Sequence, residues 1–219
     1  MKEYAMVKQS FRALNDVNLS LNTGEFCGLV GPSGSGKTTL LNIIGALDNP
    51  TSGDVIVMDK SVTALSHKEA AKMRTESIGF IFQTYNLLPV YSVFENVEFP
   101  LLLLKKNKTE REEAVMQALE WVGLTGKANS RPGQLSGGES QRVAVARAMV
   151  KLPKIVLADE PTANLETANS HNILQTMQNL NQELKTTFIF ATHDEKVIGY
   201  LRRKIVLNDG KVVDDINLH

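Results

Sequence analysis

The chain has 219 residues, with 24 Lys+Arg against 24 Asp+Glu, so its formal net charge is zero; this excludes a whole-molecule electrostatic pull toward nucleic acid or an anionic membrane. Hydrophobic residues make up 42% and charged residues 22%, a globular balance that suits one buried core, or one core carrying a sizeable insertion. The single cysteine, Cys27, excludes an intrachain disulfide framework and a Cys-cluster zinc site, and fits a reducing compartment.

The first residues, MKEYAMVKQSFRAL, lack the apolar segment of a signal peptide. Gly24-Glu25-Phe26-Cys27-Gly28-Leu29-Val30 reads as a strand, followed by a Gly/Ser loop and an apolar helix over Thr39 to Leu47. Asp54 to Met58 is a predicted strand, Ser66 to Thr75 a helix and Ile78 to Phe82 a strand. Ser77 to Phe94 carries no charge and is long enough to raise the question of a membrane span. Gly79, Gln83, Asn86 and Pro89 interrupt it, and it reads better as strand then loop. Val93 to Val150 is helix-rich, with turns at Gly123–Lys127 and Ser130–Gly133. Ile155 to Ala158 is a short, wholly apolar strand; Thr167 to Leu184 is a helix; Thr187 to Ala191 is a strand. A helix over Asp194 to Leu201 and a strand over Ile205 to Leu207 follow, and Asp209-Gly210 turns the chain into Val212-Val213. Apolar strands alternating with helices imply an α/β fold with a mostly parallel, buried sheet. The helical middle, about 84–150, reads as an insertion into it. The expectation is a soluble chain that reaches a membrane only by docking on another chain.

Gly31-Pro32-Ser33-Gly34-Ser35-Gly36-Lys37-Thr38 fits the phosphate-loop pattern G-x-x-x-x-G-K-S/T, between a predicted strand and a predicted helix that opens on Thr39. Glycines let backbone N–H groups wrap a phosphate, and the helix N-terminus adds partial positive charge. Lys37 would reach the β- and γ-phosphates, and the Thr38 hydroxyl would ligate Mg²⁺. The motif implies a nucleoside triphosphate without separating kinases, GTPases, motors and transport ATPases. The strand Ile155–Ala158 runs into Asp159-Glu160. In a doubly wound sheet the carboxyl ends of neighbouring strands share one crevice. Asp159 is therefore expected beside the phosphate loop, holding the metal, with Glu160 placed to polarise an attacking water.

Leu135-Ser136-Gly137-Gly138-Glu139-Ser140-Gln141-Arg142-Val143-Ala144-Val145-Ala146-Arg147-Ala148 reads as a helix start, with Ser136 as N-cap and two glycines that permit close backbone approach. Physics alone allows an anion site or an ordinary capped helix with a small-residue packing face.

LSGGESQRVAVARA resembles the signature motif of ATP-binding-cassette (ABC) ATPases. With it, in the family's order, come the phosphate loop, a glutamine after a strand (Gln83 in IGFIFQ), IVLADEPT, and His193 in ATHD. GPSGSGKTTLLNIIGALDNPTSG, FQTYNLLPVYSVFENVEFPL and LADEPTANLE are similar to the ATPases of lipoprotein-releasing and macrolide-exporting transporters. The resemblance implies a P-loop NTPase core with an ABC-type helical subdomain and a small antiparallel β region. It implies ATP and Mg²⁺ as ligands, partner permease subunits in the membrane, and a cytoplasmic location on the membrane's inner face. It implies an ATP-dependent head-to-tail homodimer, or a pair with a second nucleotide-binding subunit. Each ATP would lie between the phosphate loop of one chain and Ser136, Gly137, Gly138 and Glu139 of the other. Glu160 would be the general base, His193 would contact the γ-phosphate and the water, Gln83 would ligate the metal and sense the membrane partner, and Tyr4 would stack on adenine. After Gln83, Tyr85, Leu88, Val90 and Tyr91 would form the docking surface, with Leu87 and Phe94 packing inward.

Three departures from the family pattern stand out. Only three residues precede Tyr4, where the family has a strand; Glu166 stands for the usual Asp; Ala163 stands for the usual Gly. Among rival readings, a chromosome-maintenance ATPase needs long coiled coils, yet no sustained heptads lie between Lys37 and Ser136. A small-molecule kinase leaves LSGGE and His193 unexplained, and no nucleic acid is expected as a partner. A regulatory ABC ATPase driving a membrane signal or cell-division complex shares every motif.

Overall fold

The structure is a computed structural model and describes residues 1–5 and 10–218. Two short strands open it, β1 (Lys2–Ala5) and β2 (Ser10–Leu14), which pair antiparallel with each other. Then come β3 (Phe26–Val30), α1 (Lys37–Ile44), the two-residue strands β4 (Ile56–Val57) and β5 (Lys60–Ser61), α2 (His67–Ser77) and β6 (Ile78–Ile81). The helices α3 (Val93–Leu103), α4 (Lys108–Trp121) and α5 (Gly137–Met149) follow. The chain closes with β7 (Ile155–Asp159), α6 (Thr167–Leu184), β8 (Thr187–Thr192), α7 (Glu195–Ile198), β9 (Arg203–Asn208) and β10 (Lys211–Asn217).

The main sheet has six strands in the order β10-β9-β3-β8-β7-β6. All neighbours run parallel except β10, which returns antiparallel on β9. Successive strand residues face opposite sides, and each side has its own cover. Leu29, Leu157 and Ile189 pack with Leu40, Leu41, Ile43 and Ile44 of α1. Phe26, Val156, Phe188 and Phe190 pack with Val143 and Met149 of α5 and with Ile173 and Leu174 of α6. This two-sided burial is why β7 and β8 read as unbroken apolar runs and not as alternating ones.

Strands β6 and β7 are spatial neighbours, yet residues 82–154 leave the sheet between them. Within that excursion α3, α4 and α5 pack on one another through Val97, Leu101, Val115, Leu119 and Val143. Capping boxes start these helices, Ser92 with Glu95, Asn107 with Glu110 and Ser136 with Glu139, as Ser66 with Glu69 starts α2. Among the described residues, no helix is long and apolar enough to cross a membrane.

Several expected boundaries shift. The helix after the Gly/Ser loop begins at Lys37, and stops before Leu47 because Gly45 caps it and Ala46 takes a left-handed φ of 51°. The Asp54–Met58 strand shrinks to Ile56–Val57, since Met58 and Asp59 are both left-handed and turn the chain back. The Asp194–Leu201 helix is a single turn. The final strand extends to Asn217, tied by Arg203, whose guanidinium bridges Glu25 and Asp215. Few residues precede Tyr4, yet it lies within a strand, β1, which pairs with β2.

Candidate functional site

Register gathers the motifs. Val30 is level with Thr192, Ala158 with Phe190, and Ile81 with Ala158. The residues just beyond these strand ends therefore emerge at one edge of the sheet. They are Gly31 after β3, Gln83 after β6, Asp159 and Glu160 at the end of β7, and His193 after β8. This is the carboxyl-end crevice of an open α/β sheet.

The phosphate loop is built on close backbone approach. Gly36 has φ 101° and Gly34 φ 81°. A Cβ on Gly36 would lie 2.5 Å from the Ala13 carbonyl oxygen and 2.8 Å from Leu14, so β2 packs directly on the loop. A Cβ on Gly31 would overlap the Leu207 carbonyl. The loop delivers the chain to α1, whose N-cap Gly36 offers no side-chain bond and whose first turn holds no acidic residue. Free first-turn N–H groups without a competing carboxylate suit an anion. Lys37 is buried, and its ammonium donates to the Gly31 and Pro32 carbonyls at 2.8 and 2.9 Å, which holds the charge against the loop. Ser35 is 2% exposed, and its Oγ has no partner among the described residues. Pro32, Ser33 and Thr39 lie in the same loop-to-helix turn.

Thr38 Oγ1 donates to both oxygens of Asp159 at 3.1 Å. Burial raises the Asp159 carboxyl above its ordinary value; the Thr38 bond and the Lys37 charge oppose this, and Glu160 adds to it. A hydroxyl and a carboxylate are hard oxygen donors, the class that Mg²⁺ takes together with phosphate and water. Among the described residues no group of three or more His, Cys, Asp or Glu side chains forms a self-sufficient metal cage. The donor set thus fits a metal that arrives with phosphate.

Glu160 is held from three sides. Its N–H donates to the Ala191 carbonyl at 2.9 Å, Thr192 Oγ1 donates to Oε2 at 3.0 Å, and His193 Nδ1 lies 2.6 Å from Oε1. Its φ of 45° is left-handed, a costly state for a non-glycine residue that the surrounding bonds enforce. His193 leaves two-thirds of its side chain exposed, 66%, against 15% for Glu160. One edge of the pair is therefore open to the crevice.

The LSGGE segment starts α5 with Ser136 Oγ accepting from the Glu139 N–H at 3.2 Å. The Glu139 carboxylate turns back onto the Ser136 N–H at 2.8 Å and pairs with Lys127 at 3.3 Å. These bonds hold Glu139 below the usual carboxylate range, the Ser136 N–H contributing most. Its side chain is occupied as a cap. A Cβ on Gly137 would lie 3.1 Å from the Tyr85 hydroxyl, and one on Gly138 2.9 Å from the Asn169 side chain. The neighbours of the two glycines are thus Tyr85, Asn164 and Asn169, whereas those of the phosphate loop are Ala13, Leu207 and Gly210. The structure does not bring Ser136–Gly138 and the phosphate loop of one chain together through these contacts.

Gln83 is exposed, and its carbonyl accepts from Asn164 Nδ2 at 3.0 Å. Beyond it Tyr85 and Asn86 are left-handed, at φ 58° and 50°. Arg147 of α5 donates to their two carbonyls at 2.6 Å each. Tyr85 directs its hydroxyl toward the Asn164 carbonyl, at 3.5 Å, and so faces the loop after Glu160; Leu87 and Phe94 pack on the core as expected. Asn164, Thr192 and Arg147 were not singled out from sequence. Thr192 had a signal in its place beside His193, while Asn164 and Arg147 act on residues distant in sequence.

Tyr4 pairs across the hairpin with Phe11, and both rings stay partly exposed. The Tyr4 hydroxyl donates to Asp48 at 2.8 Å, and the Lys2 ammonium stands 4.7 Å from the ring centroid. The ring is thereby oriented, with Lys2 over its π-face. Cys27 lies wholly buried in β3, where burial pushes its thiol up to about 12, so it takes no part in this chemistry.

Residues 14–163, more than half of the chain, match a family described as ABC transporter. Two solved structures align with all of this chain and 96% of their own, at 41% identity and a TM-score of 0.92. One is a dimeric post-hydrolysis state of the ATP-binding cassette MJ0796 bound to ADP and Pi. The other is a dimeric structure of MJ0796, described as a bacterial ABC transporter cassette. Family match, full-length structural agreement and a crevice built for a nucleoside triphosphate converge: the chain belongs to the ABC transporter family, as one of its ATP-binding, ATP-hydrolysing cassettes.

Proposed function

We propose that this cassette powers export, or extraction from the membrane, of a lipoprotein, peptide or drug-like substrate through partner permease subunits, from the cytoplasmic face of the membrane. It does so by hydrolysing ATP in two sites shared head to tail between two chains. The observation that carries the shared site is the separate surroundings of the two glycine segments: Gly137 and Gly138 neighbour Tyr85, Asn164 and Asn169, away from the phosphate loop's own contacts. The dimeric MJ0796 cassettes support it.

In this reading Gly31–Gly36 and Lys37 would hold the phosphates, Thr38 and Asp159 would hold Mg²⁺ with Gln83 as a further ligand, and Tyr4 would stack on the base. Such a metal would supply neutralisation of the phosphate charge. Glu160 takes the proton of the attacking water, with His193 Nδ1 and Thr192 Oγ1 fixing its carboxylate. Glu139 serves as the cap that keeps the α5 N-terminus formed. Residues 84–150 act as an inserted helical subdomain.

The membrane partner docks in a groove of about 410 Å³ between α2, β6, α3 and the end of α5. Leu88, Phe99 and Leu103 line it, and in the segment that carries Leu88 the side chains of Val90 and Tyr91 are exposed as well. Tyr85 faces the Asn164 loop and is placed to report partner binding to the site more than to bind the partner.

Mixing tests the shared site. A Lys37→Ala chain and a Ser136→Arg chain are each inactive. Mixed dimers carry one doubly damaged site and one intact site, so phosphate release on ATP partly returns. A Ser136→Arg chain that hydrolyses at the parent rate alone, independent of protein concentration, overturns the proposal.

A further inference from the structure

Strands β1 and β2 form a two-stranded sheet separate from the six-stranded one. Such a hairpin is marginally stable by itself, so the placement of Tyr4 depends on what anchors it. The two strands are anchored separately. β2 packs on the phosphate loop through Ala13 and Gly36. β1 is held by the loop that follows α1. There the Thr51 N–H donates to the Met1 carbonyl at 2.9 Å, while Thr51 Oγ1 accepts from the Glu3 N–H at 2.9 Å and donates to the Glu3 carbonyl at 3.2 Å. The loop is tied back to α1, because the N–H groups of Leu47 and Asp48 both donate to the Asn42 carbonyl, at 2.9 and 3.3 Å.

Asp48 divides its carboxylate between two partners. Oδ1 accepts from the Lys2 ammonium at 2.5 Å and Oδ2 from the Tyr4 hydroxyl at 2.8 Å. Burial works against the charge, but the bonds from Lys2, Tyr4 and the Asn49 N–H outweigh it and hold the carboxyl below its usual range. Burial and the Asp48 carboxylate push the phenol up, so it remains a donor. The Lys2 ammonium also donates to the Asn49 carbonyl at 2.8 Å and stands 4.7 Å from the Tyr4 ring centroid, with only 11% of its side chain exposed. A bridge that only pinned β1 needs one oxygen of Asp48, yet the second goes to the phenol. The hydroxyl fixes the tilt of the ring, and the ammonium covers one face, which leaves a base the other. Ordering an aromatic side chain before its ligand arrives removes that entropic cost from binding.

Resting on the reading in which Tyr4 stacks on the base, we propose that Asp48 and Lys2 are positioning residues for the nucleotide: from the loop after α1 and from β1 they clamp the Tyr4 ring in the orientation that receives the base. One continuous segment runs from the phosphate loop through α1 to Asp48, so the base platform is set from the helix that begins at the phosphate site.

The test compares ADP with inorganic pyrophosphate, which carries the phosphates and no base, by calorimetric titration of the full chain in Mg²⁺. ADP keeps hydrolysis and ATP-driven pairing of chains out of the measurement. Tyr4→Ala weakens ADP about tenfold, within the range of base–aromatic stacking, and leaves pyrophosphate unchanged. Asp48→Ala and, separately, Lys2→Met weaken ADP about three- to fivefold, less than loss of the ring itself, and also leave pyrophosphate unchanged. In a Tyr4→Ala background Asp48→Ala has no further effect on ADP, because it acts through the ring. Melting curves establish that the variants fold. If Asp48→Ala does not, Tyr4→Phe, which removes only the bond to the carboxylate, takes its place and weakens ADP about threefold. Parent ADP affinity in Asp48→Ala or Lys2→Met, or in Tyr4→Phe where it stands in, overturns the clamp, while a loss in Tyr4→Ala still upholds the stacking. Equal losses for ADP and pyrophosphate in Asp48→Ala make it a general structural support and overturn the clamp as well. Parent ADP affinity in Tyr4→Ala overturns the stacking reading and the clamp with it.

Discussion

Glu160 and His193 provide the most direct test of the chemistry, through a double-mutant cycle. Glu160→Gln keeps shape, the left-handed backbone at φ 45° and an oxygen for the Thr192 hydroxyl, but removes the base. General-base catalysis contributes about 10²–10⁴-fold, so phosphate release at saturating ATP and Mg²⁺ falls by that factor, about 3–5 kcal/mol of barrier. His193→Ala removes one bond of 2.6 Å from a carboxylate that Thr192 and the Ala191 carbonyl still fix in place. Its own cost is accordingly smaller, on the order of tenfold to a hundredfold, since a strong charged hydrogen bond contributes roughly 1.5–3 kcal/mol. The two effects act on the same carboxylate, and residues that act as a unit are not additive. The double variant therefore hydrolyses within about threefold of Glu160→Gln alone, an interaction energy of about 0.7–2 kcal/mol against the ~0.5 kcal/mol expected of independent sites. Nucleotide affinity, measured separately with a fluorescent ATP analogue, stays near the parent value for Glu160→Gln, and an ATP-locked dimer accumulates in size-exclusion runs. Losses that multiply, or hydrolysis by Glu160→Gln at the parent rate, refute the pairing.

Three further outcomes follow from the geometry. Lys37→Ala removes a buried ammonium beside the phosphate loop; loss of one partner of a buried charge pair costs about 2–5 kcal/mol, and calorimetric titration with ATP and Mg²⁺ should show affinity down by at least about thirtyfold. Gly36→Ala forces a Cβ within 2.5 Å of the Ala13 carbonyl at φ 101°, so urea denaturation should show a loss above about 1–3 kcal/mol from the backbone conformation alone; unchanged stability would mean the loop relaxes freely. For Lys151 the folded value of about 8 lies below the ordinary 10.5, because burial disfavours the ammonium. Between those values the unfolded chain binds more protons, so stability rises with pH across that window. The parent should gain on Lys151→Met from pH 7.5 to 10.5 by at most about 3 kcal/mol, and a constant difference between them refutes the buried-cation assignment.

Sequence periodicity made the sheet and its main helices legible because β7 and β8 are buried on both faces and cannot tolerate polar interruptions. Thr167–Leu184 was read to the residue, since its apolar stripe of Ile173, Leu174, Met177 and Leu180 is long and regular. The hairpin β1–β2 was not read: its strands are short and at the edge, and Phe11 spends its apolar ring on solvent, so no burial pattern marks it. At the site, contiguous motifs were legible and long-range supports were not. Nothing local tells that Arg147 holds Tyr85 and Asn86 in the left-handed region, or that Asn164 Nδ2 reaches the Gln83 carbonyl. Those bonds come from helix α5 and the loop after Glu160 crossing the same edge, a consequence of topology.

The two departures in that loop acquire a physical meaning from where they sit. Ala163 does not take a positive φ, and its N–H closes a turn onto the Glu160 carbonyl at 3.2 Å. A side chain is compatible with that backbone, so the usual glycine is not required here for conformation. Glu166 occupies the N-cap of α6, and its side chain makes no capping bond, although its carbonyl accepts from the Ser170 N–H and hydroxyl. An Asp at this position is short enough to fold back onto the first turn; the extra methylene of Glu disfavours that closure. The start of α6 therefore lacks the side-chain clasp that fixes α2, α3, α4 and α5, within the segment where Asn164 contacts Gln83 and Asn169 abuts Gly138. The substitution leaves Glu160, Thr192 and His193 untouched, because they hang on the strand ends. Its expected consequence lies instead in the stretch that runs from Glu160 to Asn169 beside Gly138, as altered communication between the two proposed sites and not as altered hydrolysis.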